Sequence, residues 1–503
     1  MSDKSIIIIG AGIGGLCTGC YAQMNGYQSQ IFEMHNKPGG LCTAWKRNGY
    51  TFDGCIHWLT GSGPGMDFYD WWLELGALQN RTIIDSEYFI RFEGRDGNVM
   101  YVYSDIDKFE QHLKELAPED SAVIEELARD VRTMSKHVPP MGKPRELMGL
   151  FDMIKMLPDG VPYIRAFNKY TGITLEQFAQ RFTNEFVREA FLNFFSVADE
   201  AASGLVMTLV TFNLKTGGYP VGGSLEFSKA IEQRYLDLGG NVQYKSPVEK
   251  ILVEDDRAVG VRLADGTEHR ADIVVSAADG RATIFDMLDG KYVGDEIQSL
   301  YKTLTPYQSA VQISLGIARD LSNEPHSQVF PLREPLVVGA TRRDYLMMRH
   351  FCSDPTMAPT GKSVITAIIP CDYDSWDKLK AAGDEKYQAA KEAIAKAIIG
   401  EIEARYPGIT EQIETVDVVT PVTYTRYTGT WKGSFMSWFD SPEANKIAWG
   451  KGIPNKLPGL ASFYMVGQWV SIPGGVPVGL MTGRNLIQVL CRNDKKRFAT
   501  TKP

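Results

Sequence analysis

The stretch from Ser5 to Glu33, SIIIIGAGIGGLCTGCYAQMNGYQSQIFE, constrains this chain more than any other. Ile6–Ile9 is a β-branched apolar run without alternation, the pattern of a strand buried on both faces. Gly10-x-Gly12-x-x-Gly15 follows at once. A helical stretch runs to about Asn25, with Gly26 suited to the left-handed position that ends it. A second strand, Ser29 to Phe32, finishes on Glu33. In this order each glycine has a task. Gly10 permits the sharp turn, Gly12 lets a pyrophosphate approach the backbone, and Gly15 lets the helix pack closely on the sheet. The turn from Ala11 through Ile13 and Gly14 opens a helix whose free N–H groups favour phosphate. Glu33, 18 residues beyond Gly15, has the spacing of a carboxylate that accepts from ribose hydroxyls. The motif reads as a dinucleotide site and does not by itself separate FAD from NAD.

At 503 residues the chain holds two or three domain-sized units. A net charge of −8 argues against a general nucleic-acid surface. Apart from Cys17-x-x-Cys20, the seven cysteines form no CxxC pair or Cys/His cluster, so no metal site is expected and the thiols read as reduced, in a cytoplasmic setting. Cys17 and Cys20 fall inside the first helix and read as packing. The apolar start carries the glycine motif and lacks a signal-peptide cleavage site. No run of 18 apolar residues occurs, so no transmembrane helix is predicted.

A second glycine turn, Pro38-Gly39-Gly40, precedes Gly49-Tyr50-Thr51-Phe52-Asp53-Gly54, a short strand entering a turn. The order GxGxxG, acid, GG turn and G-Y-x-F-D-x-G-x-H resembles the N-terminal signature of FAD-dependent oxidoreductases of the phytoene desaturase, carotenoid cis-trans isomerase and retinol saturase type. These are distant relatives of the amine oxidases. Phe52 to His57 is most similar to the isomerase and saturase branch, where this segment runs beside the flavin ring. The resemblance places Gly40, Leu41, Ile56 and His57 there. It continues in Tyr219-Pro220-Val221-Gly222-Gly223 and in Ala271 to Asp279, and it implies that Val248 contacts the adenine end through its backbone. Asp354 to Pro359 and Tyr427 to Gly433 are similar to pieces of the family's substrate domain. Phe463 to Gly467 and Pro473 to Gly479 resemble its C-terminal FAD motif, with Gly467, Gln468, Gly475 and Val476 against the cofactor. Gln468 is a departure, since many relatives carry an acid there; an amide can still hydrogen-bond a ribityl hydroxyl.

The expected fold class is α/β. A Rossmann-type FAD-binding domain is assembled from residues 1–85, 215–285 and 455–503. A mixed α+β substrate domain takes a hairpin and helices from 86–214 and a sheet from 286–454, with a helical lid or membrane-facing region. Arg95-Asp96-Gly97-Asn98 is the turn of the hairpin. Ser104 is expected to cap the next helix, and Thr174-x-x-Gln177 reads as a capping box. Phe178, Phe182, Phe186, Phe191, Phe194 and Phe195 form an aromatic face, mostly core, that can also wall an apolar tunnel. Over 142–170, Leu147, Leu150, Phe151, Ile154 and Leu157 share a helical face bordered by Lys143, Arg145, Lys155, Arg165 and Lys169. Such a stretch can lie in a membrane interface; the expectation is a helix packed over its own core.

No second strand-turn-helix carries GxGxxG, and Gly61-x-Gly63-Pro64-Gly65 reads as a loop. Electrons would therefore pass to or from a small molecule, a quinone or a partner, unless the reaction is redox-neutral. His57 is the polar candidate beside the flavin, either catalytic or orienting its loop. Trp58 and Trp469 read as packing that can wall the ring. Asp199 and Glu200 are candidate acid/base groups, with a solvated helix end expected for both. The resemblance implies an FAD-dependent oxidoreductase acting on C–C or C=C bonds of a long apolar polyene, carotenoid- or retinoid-like, by desaturation, saturation or cis-trans isomerisation. Alternatives are a flavin amine oxidase, an oxidoreductase of an unsaturated fatty acid, and a non-catalytic flavoprotein. An apolar substrate makes peripheral membrane contact plausible, and the sequence sets no oligomeric state.

Overall fold

In a computed structural model that describes residues 4–194 and 197–503, the isoleucine run is β1 (Ser5–Ile9), the middle strand of a parallel sheet. Phe195 lies outside the described residues. The other strands are β2 (Gln28–Phe32), β3 (Asn241–Gln243), β4 (Ile273–Ser276) and β5 (Phe463–Met465), in the order β5-β4-β1-β2-β3. Ile8 is in register with Ile31 on one side and Val275 on the other. Three segments far apart in sequence thus share one sheet.

The unbroken isoleucine run follows from cover on both faces. Ile6 and Ile8 pack with α1 (Ile13–Met24), α2 (Gly223–Asp237) and α3 (Val476–Asn493), through Leu16, Phe227 and Leu480 among others. Ile7 and Ile9 pack against Ile251, Val261 and Leu263 of a three-stranded antiparallel sheet. α1 and α3 meet through small residues: a Cβ on Gly14 would stand 3.0 Å from Gly467 Cα, and one on Gly479 would stand 3.1 Å from Gly14 N. Cys17 and Cys20 are buried in α1, as packing requires, and all seven cysteines are free thiols.

The second layer is a seven-stranded sheet in the order Ile413–Val419, Ser309–Ile317, Ser363–Cys371, Thr341–His350, Ser327–Val338, Tyr88–Glu93, Val99–Tyr103. Alternation sorts its side chains. Ile313, Ile365, Leu346 and Met348 meet Ile394, Ile398 and Ile402 of the helix Asp384–Arg405. The opposite face turns toward the nucleotide-binding layer and the helices of residues 106–213. There Gln312 Nε2 donates to Asp53 O at 2.8 Å, and Phe351 and Val364 join the core of the first layer. The phenylalanines Phe178, Phe182, Phe186, Phe191 and Phe194 are core of the helical part.

Two local expectations are corrected. Asp105, not Ser104, caps Ile106–Leu116, accepting from the N–H groups of Asp107 and Lys108. Ser104 Oγ is engaged elsewhere, donating to Ser86 O at 2.6 Å. The amphipathic helix, Leu150–Thr171, does not lie over its own core. Phe151 is 88% exposed and Leu150 71%, and Met153, Ile154, Leu157, Val161 and Ile164 are exposed as well. Only Gly160, Ala166, Phe167 and Tyr170 turn inward, because the neighbouring helices reach that side alone.

Three buried aspartates join the separate segments. Asp53 Oδ1 accepts from Cys55 N at 2.9 Å and Ser224 Oγ at 2.5 Å, and Oδ2 accepts from Ser224 N at 2.7 Å. Asp354 Oδ2 accepts from Tyr219 OH at 3.0 Å and Gly222 N at 2.7 Å. Asp279 holds Ala282 N at 2.9 Å and Trp431 N at 2.8 Å. In Asp53→Asn the new amide NH2 faces an N–H, leaving a buried donor unsatisfied. We expect a loss of roughly 3 kcal/mol, seen as a lower urea midpoint at unchanged slope; an unchanged midpoint would refute the clamp.

Candidate nucleotide and substrate site

The carboxyl ends of β1, β4 and β5 converge on the glycine turns. Gly10 takes φ +93° and donates its N–H to Phe32 O at 2.8 Å. A Cβ on Gly15 would run into the Gly10 carbonyl, which is the close helix–strand approach the motif requires. The first intrahelical bond of α1 is Leu16 N to Gly12 O at 3.0 Å, so the N–H groups of Ile13, Gly14 and Gly15 precede it and point outward. Beside Gly12 the nearest atom to an added Cβ is Gly39 O, 4.0 Å away, so backbone can be reached there. Gly39 N donates to Ala11 O at 2.8 Å, and Gly40 at φ +60° lies over Gly12, bringing the second glycine turn and Leu41 to the first.

Glu33 directly follows β2 and is buried. Its Oε2 accepts from Ala11 N and its Oε1 from His35 N, both at 2.7 Å. Burial pushes its carboxyl above the usual range, and the backbone donors offset part of that. Each oxygen keeps an acceptor direction for a ribose hydroxyl. Ser246 N donates to Glu33 O at 2.9 Å, which brings Val248, the start of its strand, near the same end. On the other side, Gly467 at φ +93° donates to Thr482 Oγ1 at 2.8 Å, and Gln468 O accepts from Ser437 Oγ at 2.9 Å. Gly475, at φ +106°, precedes Val476, the first residue of α3, so a second helix N-terminus opens toward the first. Two helix termini, reachable backbone at Gly12 and an acid at the ribose position fit FAD.

Ile56 N donates to Ser224 Oγ at 2.7 Å, and this fixes the segment that carries His57. His57 Nε2 and Thr43 Oγ1 are buried with no hydrogen-bond partner among the described residues. Burial and the nearby guanidinium of Arg349 hold the His57 imidazole well below its usual range, so it is neutral at pH 7. Trp58 packs edge-on to Phe89, and Trp469 edge-on to Trp438, both at 5.0 Å between centroids. Both rings pack against neighbouring aromatics.

Glu200 corrects the expectation of a solvated helix end. Asp199 is exposed, but Glu200 is 6% exposed beside Asp440, which is 4% exposed. Glu200 Oε2 accepts from Tyr307 OH at 3.2 Å, and Asp440 Oδ1 has no partner among the described residues. Burial, with the second carboxylate opposing ionisation of the first, lifts Glu200 to about 8; burial lifts Asp440 to about 7. Asp440 and Arg349 were not among the residues expected in the site. Asp440 has no local signal. Arg349 has a faint one, as the polar member of the run Tyr345, Met347, Arg349, Phe351 that shares one strand face.

Residues 13–486 match the family model of flavin containing amine oxidoreductases. Prolycopene isomerase 1, chloroplastic, of an Oncidium hybrid cultivar is 25% identical over 489 residues, covering 92% of this chain and 80% of its own. The 4,4'-diapophytoene desaturase of a Methylomonas species is 24% identical, covering 99% and 97%. The inactive all-trans-retinol 13,14-reductase of Danio rerio is 24% identical, covering 84% and 75%. Among solved structures, cyclohexylamine oxidase from Brevibacterium oxydans superposes with a TM-score of 0.61 at 13% identity, covering 98% of this chain and all of its own. An oxidoreductase from Methanosarcina mazei gives 0.59 at 18%, covering 96% and 100%. The solved structures establish the shared fold.

The Glu200–Asp440 pair sets a pH dependence of stability. Both folded-state values lie above those of an unfolded chain, so the folded state binds more protons between about pH 4 and pH 8. Stability falls as pH rises through that window. Glu200→Gln removes one ionisable group and is expected to gain roughly 2 kcal/mol at pH 8 relative to pH 5. Melting curves at the two pH values test this; an equal change at both would place Glu200 outside the titrating pair.

Proposed function

The chain belongs to the flavin-containing amine oxidoreductase family, and from that premise we propose that it is an FAD-dependent oxidoreductase acting on C–C or C=C bonds of a long apolar polyene. The observation that carries this reading is coverage. Relatives named as a 4,4'-diapophytoene desaturase, a prolycopene isomerase and an inactive all-trans-retinol 13,14-reductase align along 84–99% of the chain, through both the nucleotide segments and the substrate layer. The site supports it. The imidazole beside the flavin position is neutral, and a conjugated chain delocalises developing charge without a strong acid or base there. Bound FAD supplies hydride or electron exchange with such a chain. In this reading the N–H groups of Ile13 and Gly14 hold the pyrophosphate, Glu33 the ribose, and Gly467, Gln468 and Val476 the ribityl chain and ring. Amine oxidation is disfavoured by Arg349, whose charge beside His57 repels a protonated amine.

The exposed helix Leu150–Thr171 supports membrane contact. No helix among the described residues is long and apolar enough to cross a bilayer. Yet seven large apolar side chains from Leu150 to Ile164 face outward, and Trp449, 58% exposed, stacks edge-on to Phe167 at 5.3 Å beside them. Lys155 and Arg165 are exposed on the same helix. A helix with an apolar face and a basic border lies in the interface plane, where a polyene resides. In desaturation or saturation, electrons pass to or from a small molecule, a quinone or a partner, since the chain carries one dinucleotide motif; isomerisation needs no net transfer.

An anaerobic assay tests the reaction. FAD-loaded protein is mixed with detergent-dispersed polyenes, with the flavin either oxidised or dithionite-reduced. Loss of two hydrogens with oxidised flavin means desaturation, gain of two with reduced flavin means saturation, and unchanged mass with a shifted isomer means isomerisation. No turnover in any arm, with FAD bound, would sink the polyene reading. Gly12→Val should cut FAD content of the purified protein at least tenfold, read by absorbance; full content would move the pyrophosphate elsewhere. Vesicle flotation tests the helix. Phe151→Glu with Leu157→Glu should lower co-flotation on the order of tenfold or more at unchanged FAD content; equal flotation would remove this helix from the interface.

A further inference from the structure

The proposed reading needs an apolar surface beside the nucleotide layer for a long chain, and the face of the seven-stranded sheet turned toward that layer offers one. Besides Gln312, which donates to Asp53 O, that face carries a buried polar row across four strands. Ser314 is in register with Thr366, Thr366 with Arg349, and Arg349 with Ser327, on four adjacent strands. All four residues are buried. Their neighbours along the same face are Met347, Val329, Val364 and Phe351, so the row crosses an apolar surface.

Arg349 is the unusual member. It is 8% exposed, and among the described residues its side chain makes no hydrogen bond or ion pair. A buried guanidinium ordinarily has a carboxylate partner, because an unpaired buried charge is costly. Here the groups around it are His57, His326 and Tyr219, and none is an anion at neutral pH. Tyr219 OH already donates to Asp354. The unpartnered polar atoms nearby are Ser327 Oγ, on the register partner of Arg349, and His57 Nε2. The site thus offers one full positive charge, a hydroxyl and an imidazole nitrogen, all unused, at the edge of an apolar face.

We propose that Arg349 receives the carboxylate of the substrate, so that this enzyme's polyene or unsaturated chain is an acid rather than a hydrocarbon. A planar guanidinium pairs with a carboxylate through two parallel N–H donors, and Ser327 Oγ supplies a further donor. One charge with neutral hydroxyls matches a monoanion. The carboxylate anchors the chain beside His57 and sets which bond reaches the flavin, as a fixed headgroup sets register for an otherwise featureless chain.

The test compares acids with their methyl esters. FAD-loaded protein is titrated with all-trans-retinoic acid and with linoleic acid, each against its ester, following the flavin absorbance. Each pair shares one chain, so only the headgroup differs. The wild type is expected to bind at least one acid on the order of tenfold or more tighter than its ester. Which pair shows the difference assigns a retinoid-like or a fatty chain. Arg349→Met should erase the preference while ester affinity and FAD content persist, and Arg349→Lys should restore part of it. Removing an unpaired buried charge should also raise the melting temperature of the ligand-free protein; a sharp fall would make Arg349 structural and overturn the proposal. Equal affinity for acid and ester in the wild type overturns it too, while leaving the polyene reading intact. Binding of neither acids, esters nor neutral carotenoids at full FAD content would refute both.

Discussion

Everything in this molecule depends on joining separated stretches of chain around one nucleotide-binding unit, and buried aspartates join two of those stretches to each other and both to the substrate layer. Asp53, Asp279 and Asp354 are buried carboxylates that accept mainly from backbone N–H groups of distant segments. A buried carboxylate is tolerated only when its oxygens are satisfied, and backbone donors have one geometry each. The cost of leaving them unmet therefore becomes positional accuracy. Asp53 ties the strand before His57 to the start of α2, Asp354 ties the sheet layer to the turn before α2, and Asp279 ties β4 to the loop at Trp431. Short motifs that look unrelated in sequence are the two halves of these joins.

The glycines extend the same principle to backbone. α1 and α3 approach until Gly14 and Gly479 touch main chain, with Gly483 against Thr18. This brings two helix N-termini to one place, where their unpaired N–H groups add. Side chains at these positions would separate the helices and disperse that potential.

Against this well-satisfied frame, the unsatisfied groups stand out. His57 Nε2, Asp440 Oδ1 and Ser327 Oγ have no partner among the described residues, and Arg349 has no counter-charge there. An apolar helix face is left in water. Each lowers stability, and such costs persist where a ligand, a proton or a surface offsets them. These are the groups that the proposed reading, an apolar chain taken from a lipid phase and held beside the nucleotide site, would engage.

The sequence by itself determined the parts whose physics is local. Ile6–Ile9 had to be a doubly covered strand, Gly10, Gly12 and Gly15 had to form a phosphate turn, and Thr174 with Gln177 had to cap a helix, because the atoms concerned are within a few residues of one another. The family resemblance rests on such stretches. Only the tertiary structure decided the rest. Glu200 reads as a solvated end until Asp440, 240 residues later, is packed beside it. Periodicity shows that Leu150–Thr171 has an apolar face, but whether that face is covered depends on which side its neighbours occupy. Ser104 reads as the cap of its helix until Ser86 O takes its hydroxyl and Asp105 caps instead. Arg349 is an ordinary basic residue in a strand until the sheet places it among neutral groups. Burial and charge environment are sums over neighbours distant in the chain, and no local pattern contains those sums.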